Sequence, residues 1–477
     1  MFSSVLTASQ IERIHQASLE ILERVGVILP HAEVLRRFAD TGNRVDFASR
    51  RVWIGPNTVL KSVETAGKQF TLYGRDTDRQ AVFGAGRRNY NSIGGEAYWQ
   101  DDPDSDRRFC TLEDVATAAR FCEQLDAINI AGAMSDPHEI PIEARCVEVL
   151  ATLVRNTTKP VILWFHDRKS ARYIVELLTA LRGSEEAARR YPVCFPFMEP
   201  ISPLRFPFNG VDLLFETSRL DLPVPIGPMA QLGLSAPASI AGTLAQENAE
   251  ILAGICITQL VKEGLPVCYG GICHAFDMST TQMIFSGPEQ AIFGVAMTQI
   301  GKYYGLPVYI NVGLTDAKRP DAQAGLEAGV TLALGAAAGA DIFGHLGICG
   351  VDQASSLDML VLQAEVVGYV ESLLRELDFS DEALGIDVLA EVGPGGTFID
   401  TLHTVERFRR ELWFPSLLDR QYFKAWLENG AESTETRCRR RKAELLSAAG
   451  PEPLDKTIDR EFDKIIRAAR SELTGES

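Results

Sequence analysis

Val308-Tyr-Ile-Asn-Val-Gly313, then Asp321 through Ala338, then Asp341-Ile-Phe-Gly-His-Leu-Gly347 decide how this chain folds. Two short runs of β-branched and aromatic residues flank an alanine-rich stretch of helical length. Similar runs begin near 89 (Asn-Tyr-Asn-Ser-Ile), 128 (Ile-Asn-Ile-Ala-Gly), 161 (Val-Ile-Leu-Trp-Phe), 193 (Val-Cys-Phe-Pro-Phe), 224 (Val-Pro-Ile-Gly-Pro) and 267 (Val-Cys-Tyr-Gly-Gly). Predicted helices over Leu112–Leu125, Ile142–Arg155, Arg172–Leu181, Ala245–Glu263, Gln290–Tyr304 and Ser355–Leu377 separate or follow them. Each helix is just long enough to return the chain for a parallel strand. Eight such units predict an α/β chain with a (β/α)8 TIM barrel over residues 87–377. No GxGxxG follows the first strand, which disfavours a doubly wound sheet.

Both flanks of this region read differently. Thr7-Ala8-Ser9-Gln10 has the form of a capping box, and Ile11, Ile14, Ala17, Leu19, Ile21 and Leu22 supply an apolar helical face. Gly26 and Pro30 end that helix, a second helical stretch covers Ala32–Ala39, and residues 69–86 predict a hairpin. Residues 1–86 therefore form an N-terminal helical and hairpin cap. After Leu377 come Gly393-Pro-Gly-Gly396, Thr401-Leu-His403 and two charged helical stretches, which predict a C-terminal helical extension over 378–477. That extension is placed to pack beside the barrel or to form a contact in a homo-oligomer.

Hydrophobic residues make up 46% of the 477 and charged residues 23%, so a disordered scaffold is excluded. Lys and Arg total 47 against 64 Asp and Glu, a net charge of −17. Such a surface repels phosphate backbones and anionic lipid, so neither nucleic acid nor a membrane is an expected partner. The nine cysteines follow no framework spacing and read as reduced, buried thiols. Met1-Phe2-Ser3-Ser4-Val5-Leu6 lacks the basic and apolar regions of a signal peptide. Gly329–Val351 is interrupted by Asp341 and His345, too broken for a membrane span. The expectation is a cytoplasmic protein.

In a barrel the loops after the strands converge on one mouth. The strand ends here offer Glu96, Asp136, Trp164, Phe165, His166, Phe197, Glu199, Gln231, Asn311, Asp316, Lys318 and His345. Carboxylates beside aromatic faces have the parts of a cation site, chiefly Glu96, Glu199, Asp316, Trp164, Phe165 and Phe197. Cys268, Cys273 and His274 resemble a zinc cluster, but neighbouring strand positions point to opposite faces, and no metal ligands are assigned. Gly393–Gly396 lacks the Lys-Ser/Thr of a phosphate loop. His15 and His31 are expected on helical surfaces, whereas His345 and His403 are the less ordinary histidines. Neither GxSxG nor HExxH occurs, which argues against a hydrolase.

With these strings in place, the chain resembles the trimethylamine methyltransferase family, corrinoid-dependent enzymes that include glycine betaine methyltransferases. The resemblance runs almost end to end. It is carried by Leu6–His15 through Val27, Thr315-Asp-Ala-Lys-Arg-Pro-Asp-Ala-Gln-Ala-Gly-Leu-Glu327, Gly393–Gly396 with His403-Thr404, and Phe408-Arg-Arg-Glu-Leu-Trp-Phe-Pro415 with Asp419-Arg420.

The resemblance implies a methyltransferase that moves a methyl group from a methylated amine to the Co(I) centre of a separate corrinoid protein. Co(I) is the nucleophile in that chemistry, so the enzyme need only align the N-methyl group and exclude water. A quaternary ammonium leaves as a neutral amine and needs no general acid. Trimethylamine enzymes of the family carry pyrrolysine; this sequence has none, and Lys318-Arg319 stand near where it is expected. The implied substrate is therefore a quaternary amine of the glycine betaine, carnitine or proline betaine type. An Asp-x-His-x-x-Gly cobalt-ligating signature is absent, because Asp136-Pro-His138 is followed by Pro141. Cobalamin is therefore expected on a cognate corrinoid protein, with none held tightly by this chain.

On this reading Asn311, Asp316 and His345 are the expected catalytic contacts. Glu199, Trp164, Phe165 and Phe197 surround the cation, and Arg205, Gln231 or Lys318 donates to a substrate carboxylate. Two rival readings are a zinc-dependent methyltransferase to a thiol acceptor, built on Cys268, Cys273 and His274, and a non-catalytic betaine-binding or corrinoid-protein-docking protein.

Overall fold

The computed structural model describes residues 3–475; the sequence reading of Met1 and Phe2 lies outside them. At its centre are five parallel strands, ordered Val224–Ile226, Val267–Gly271, Val308–Ile310, Ile342–Leu346 and Asn89–Ser92. The last strand in sequence thus pairs with the first, Ile342 opposite Asn89. All five are buried throughout their length, which is why they read as unbroken apolar runs rather than alternating ones. Parallel pairing continues beyond Asn89–Ser92. Asn91 bridges Ile130, and Ala131–Gly132 pairs with Val161–Ile162. The Val161 amide donates to the Val193 carbonyl at 3.0 Å, and Met198 bridges Ile226 in parallel.

The run near 193 corrects the sequence reading, because residues 192–197 form no regular strand. Pro192 and Pro196 lack amide hydrogens, so ladder donors are missing where a strand needs them. Isolated contacts at Val193 and Met198 replace a continuous ladder.

The crossover helices fall close to their predicted spans: Leu112–Glu123, Ile142–Asn156, Arg168–Arg182, Ile240–Val261, Pro288–Tyr303, Ala322–Ala338 and Leu357–Leu373. Local chemistry sets their ends. Thr111 and Asp114 form a capping box, Asp321 accepts from the amides of Gln323 and Ala324, and Gly339 closes its helix at φ +92°. Between 193 and 224 there is no long helix, only the short Phe208–Asp212 and Leu214–Thr217 and a 3-10 turn at Ser218–Leu220.

At the N-terminus, Thr7 and Gln10 do form the expected capping box, and Phe70–Tyr73 pairs with Gln80–Phe83 as an antiparallel hairpin. A three-stranded antiparallel sheet of Val27–Ile28, Arg51–Trp53 and Arg44–Asp46 was not legible in the sequence. Helices Ala8–Glu20 and Pro56–Thr65 pack on Ile240–Val261, burying that helix on both sides. His15 and His31 are buried rather than on the surface. Nδ1 of His15 meets the Tyr304 hydroxyl at 2.8 Å, and His31 accepts from the Val34 amide while facing Asp212.

The last hundred residues behave in two ways. Helix Thr434–Ser447 packs on Leu357–Leu373 and Leu112–Glu123, burying Cys438 and Leu445. Lys456–Thr474 packs on Ile142–Asn156 and Arg168–Arg182 through Phe462, Ile465 and Ala469. Before both of them in the chain, helices Asp381–Leu384, Ile386–Val392, Leu402–Glu411 and Phe423–Glu428 bury no residue at all. Ile399, Leu402, Val405 and Tyr422 stand exposed there. Among the described residues no helix is long and apolar enough to cross a membrane.

Candidate functional site

The ends of the parallel strands bring four rings into a closed cycle. Trp164 meets Phe197 at 6.0 Å between centroids, Phe197 meets Tyr309 at 5.2 Å, Tyr309 meets His345 at 5.9 Å, and His345 returns to Trp164 at 5.9 Å. All four contacts are tilted or edge-on, the arrangement that aromatic quadrupoles prefer. Glycines make this packing possible. A Cβ at Gly95 would lie 3.0 Å from Trp164 Cδ1, and one at Gly227 would lie 2.7 Å from Phe197 Cζ. At Gly344 it would lie 1.8 Å from the Tyr309 hydroxyl. The Trp164 indole N–H donates to the Gly95 carbonyl at 2.8 Å, which fixes the ring's orientation.

Carboxylates gather beside the rings. Ligand atoms of Glu96, Asp352 and His345 all lie within 4.8 Å of one another, a grouping that could hold a metal ion. Burial, then the Asp352 charge beside it, pushes the Glu96 carboxyl well above its usual range; Asp136 and Glu199 add to the effect. Burial, followed by Asp352, raises Glu199 to about 7. His345 is pushed down to about 4 by burial, so its ring is neutral at physiological pH. Both its nitrogens lack a hydrogen-bond partner, as do both side-chain polar atoms of Asn311. No Lys or Arg among the described residues pairs with Glu96, Glu199 or Asp352. The cations nearest these carboxylates lie on the cavity walls. Burial pulls His166, beside Glu199, downward, but its hydrogen bonds to Cys146 and the Ile142 carbonyl and the Asp136 charge outweigh that and raise it to about 9.

Two cavities lead to it. One, of about 580 Å³, is lined by Phe165, His166, Phe197, Glu199, Met229 and Gln231 among others. Glu199 opens to solvent through this cavity although protein surrounds it. The other, of about 860 Å³, reaches Asp352 and carries Arg107 and Lys318 on its wall.

Several expected residues thus come together: Trp164, Phe197 and His345 in the ring cycle, with Phe165, Glu199 and Gln231 lining the first cavity. Others are elsewhere. Asp316 spends its carboxylate on the amides of Phe285 (2.9 Å) and Ser286 (3.3 Å), which directly follow the hairpin His274–Ile284. Arg205 is exposed, and its backbone pairs with Ile201. Cys268, Cys273 and His274 do not converge as metal ligands; His274 instead stacks on Phe285 at 4.5 Å. All nine cysteines are buried and unpaired with one another.

Tyr309, Asp352 and Arg107 were missed by sequence reasoning. Tyr309 sits mid-strand and reads as core, while Asp352 and Arg107 come from loops. For Asp352 the signal was its place just after the last strand, where the mouth is built. Behind the mouth, the buried Glu247 carboxylate accepts from the amides of Ala230 and Ile272, joining two mouth loops.

Fold and pocket together define an α/β protein whose strand ends carry an aromatic, acidic mouth suited to a small cation. The chain belongs to the trimethylamine methyltransferase (MTTB) family, whose profile matches residues 2–474, and it is a methyltransferase. It is 29% identical over 475 residues to the glycine betaine methyltransferase of Desulfitobacterium hafniense (strain Y51), covering 99% of this chain and 98% of the relative. To the trimethylamine methyltransferase MttB of Desulfitobacterium hafniense (strain DSM 10664 / DCB-2) it is 28% identical, covering 96% and 92%. Its fold is similar to the crystal structure of the Methanosarcina barkeri monomethylamine methyltransferase (MtmB). The TM-score is 0.52 at 11% identity, over 99% of this chain and 88% of that one.

Proposed function

We propose that this methyltransferase takes a methyl group from a quaternary amine, of the glycine betaine, carnitine or proline betaine type, and delivers it to the Co(I) centre of a partner corrinoid protein. The observation that carries this reading is the ring cycle of Trp164, Phe197, Tyr309 and His345 beside Glu96, Glu199 and Asp352. A quaternary ammonium has no N–H, so it is held by ring faces and by unpaired carboxylate charge rather than by directed hydrogen bonds. Ionised carboxylates lacking a cation in this pocket are costly until one arrives. The neutral His345, one ring of the cycle, brings no charge of its own to compete for the ammonium.

The N–CH3 bond breaks with its electron pair left on nitrogen, and Co(I) supplies the pair that accepts the methyl. The chain's own work is to hold the ammonium, aim one methyl group outward and keep water away. The corrinoid protein docks over the mouth. In support of a closed (β/α)8 barrel behind it, parallel contacts run from Asn91 through Ile130, Val161, Val193 and Met198 back to Ile226. The division into cap (1–86), barrel (87–377) and extension (378–477) follows from the same reading. A second copy of the chain covers the exposed apolar helices Asp381–Leu384, Ile386–Val392, Leu402–Glu411 and Phe423–Glu428, because helices that bury nothing within their own chain need an external core.

An anaerobic assay tests the reading. The protein, a Co(I) corrinoid protein and a panel of quaternary amines are combined, and cobalt's visible spectrum is followed. Methylation with a quaternary amine is expected; a silent panel overturns the proposal.

A further inference from the structure

His345 is only 4% exposed, yet neither of its ring nitrogens has a hydrogen-bond partner. Most histidines of the chain are engaged: His15, His31, His166 and His403 each meet an oxygen. His274 is also buried without a partner, but its ring stacks on Phe285 and it joins no group of metal-ligating side chains. Around His345 the situation differs, because carboxylate oxygens of Glu96 and Asp352 lie within 4.8 Å of its nitrogen and of each other. Among the described residues no other three such side chains come this close. A buried imidazole with both nitrogens idle is costly, and a ligand that takes one of them removes the cost.

The backbone builds this convergence. Tyr98–Gln100 and Ala354–Ser356 pair in parallel, with Tyr98 opposite Ala354. Glu96 and Asp352 each lie two positions before that pair, so the register brings them level with each other. Glu96 is also held from its other side: its amide donates to the Met134 carbonyl at 3.0 Å, and its carbonyl accepts from the Asp136 amide at 2.9 Å. His345 arrives through a bulge. Phe343 faces Tyr90 and Leu346 faces Ser92, so three steps on one strand oppose two on the other, and His345 turns to φ +72°. Gly350, Val351 and Asp352 are successively left-handed, at φ +68°, +60° and +49°. For a β-branched residue such as Val351 that conformation is strained, and strain of this kind persists only where surrounding structure enforces it. Two of the three groups thus sit on left-handed backbone.

Two carboxylates and an imidazole nitrogen are a donor set for zinc and its first-row neighbours, whereas calcium and magnesium take oxygen ligands. Asp352 lines the larger cavity, which gives an ion its way in. We propose that Glu96, His345 and Asp352 bind one divalent transition-metal ion, and that this ion and a quaternary ammonium exclude each other from the mouth. Both occupants need the same two carboxylates, so the metal is a competitive inhibitor with respect to the amine. The metal site goes beyond the function proposed above; only the exclusion rests on its cation pocket.

The test uses full-length protein without corrinoid partner, stripped with a chelator. It is titrated with zinc by calorimetry and with Co(II) by visible absorption. Wild type is compared with Glu96→Gln, His345→Asn, Asp352→Asn and Cys268→Ala, with melting curves confirming that each is folded. Asn tolerates left-handed backbone, so both Asn variants keep the bulge and the loop. One ion per chain is expected. Each of the first three variants should weaken it about tenfold or more, and Cys268→Ala should leave it unchanged. His345→Asn should also alter the Co(II) bands, the signature of a lost nitrogen ligand. Tetramethylammonium should weaken zinc binding progressively as its concentration rises. Wild type that binds no ion, binding that the first three variants leave intact, or binding that Cys268→Ala removes overturns the site. Zinc and tetramethylammonium bound together overturn the exclusion. Zinc bound through these residues, with no ammonium bound at any concentration, upholds the metal site and overturns the cation pocket instead.

Discussion

Glu96 and Asp352 stand with carboxylate oxygens within 4.8 Å of each other at the base of the mouth, with the His345 ring as their third neighbour. Like charges at that separation, on buried Glu96 and half-buried Asp352, cannot both ionise cheaply, so Glu96 holds its proton until a cation arrives. This pair makes the pocket selective for positive charge before any shape is considered.

Amine binding should therefore depend on pH through Glu199. Its carboxyl, raised from about 4.5 to about 7, must ionise to attract the ammonium. Affinity is expected to increase as pH rises from 6 to 8, and Glu199→Gln should flatten that dependence. The sign for stability is opposite. A carboxyl raised on folding contributes stability that is fully present below its ordinary value and is lost as pH rises through 7. Ligand-free protein should lose melting temperature as pH rises from about 4.5 to about 7, whereas saturating amine should counter the loss. A flat titration in wild type would contradict the assignment.

The ring cycle predicts a graded loss. Trp164→Leu or Tyr309→Leu should weaken binding of a quaternary amine by roughly 0.5 to 2 kcal/mol each, a two- to thirtyfold effect. Binding of a neutral tert-butyl isostere should change far less. Competition isotherms with both ligands measure the difference, and equal losses would mean that the rings supply shape alone.

Asp316 should behave as a positioning residue. It holds the amides of Phe285 and Ser286, so Asp316→Ala should lower the melting temperature and expose the hairpin His274–Ile284 to proteolysis. Asp316→Asn keeps one accepting oxygen and should be milder. Full loss of activity in Asp316→Asn, with stability unchanged, would return Asp316 to the reacting centre.

The exposed arm predicts an oligomer. Light scattering should give at least a dimer, and Leu402→Glu with Val405→Glu should dissociate it, since these positions are 69% and 60% exposed within one chain. A monodisperse wild-type monomer would contradict the expectation.

Much of this architecture was legible because parallel strands buried on both faces leave apolar runs, and alanine-rich crossovers lie between them. The run near 193 misled because Val, Cys and Phe read as strand while Pro192 and Pro196 remove its donors. Trp164, Phe197, Glu199 and His345 were visible as strand-end residues. Asp316 shared that position, yet its oxygens serve backbone amides, a distinction that needs the fold. Asp352 was hidden in a loop whose three left-handed residues include only one glycine, so composition gave no turn signal. His15 was read as surface because its partner, Tyr304, lies far along the chain and comes close only in the folded state.

The most direct measurement is methyl transfer under anaerobic conditions, following cobalt's spectrum while the amine products are quantified. A trimethylammonium carboxylate should methylate the Co(I) corrinoid protein with one equivalent of dimethylated amine formed, and Glu199→Gln with Trp164→Leu should abolish this. Transfer from trimethylamine but from no quaternary amine would contradict the account.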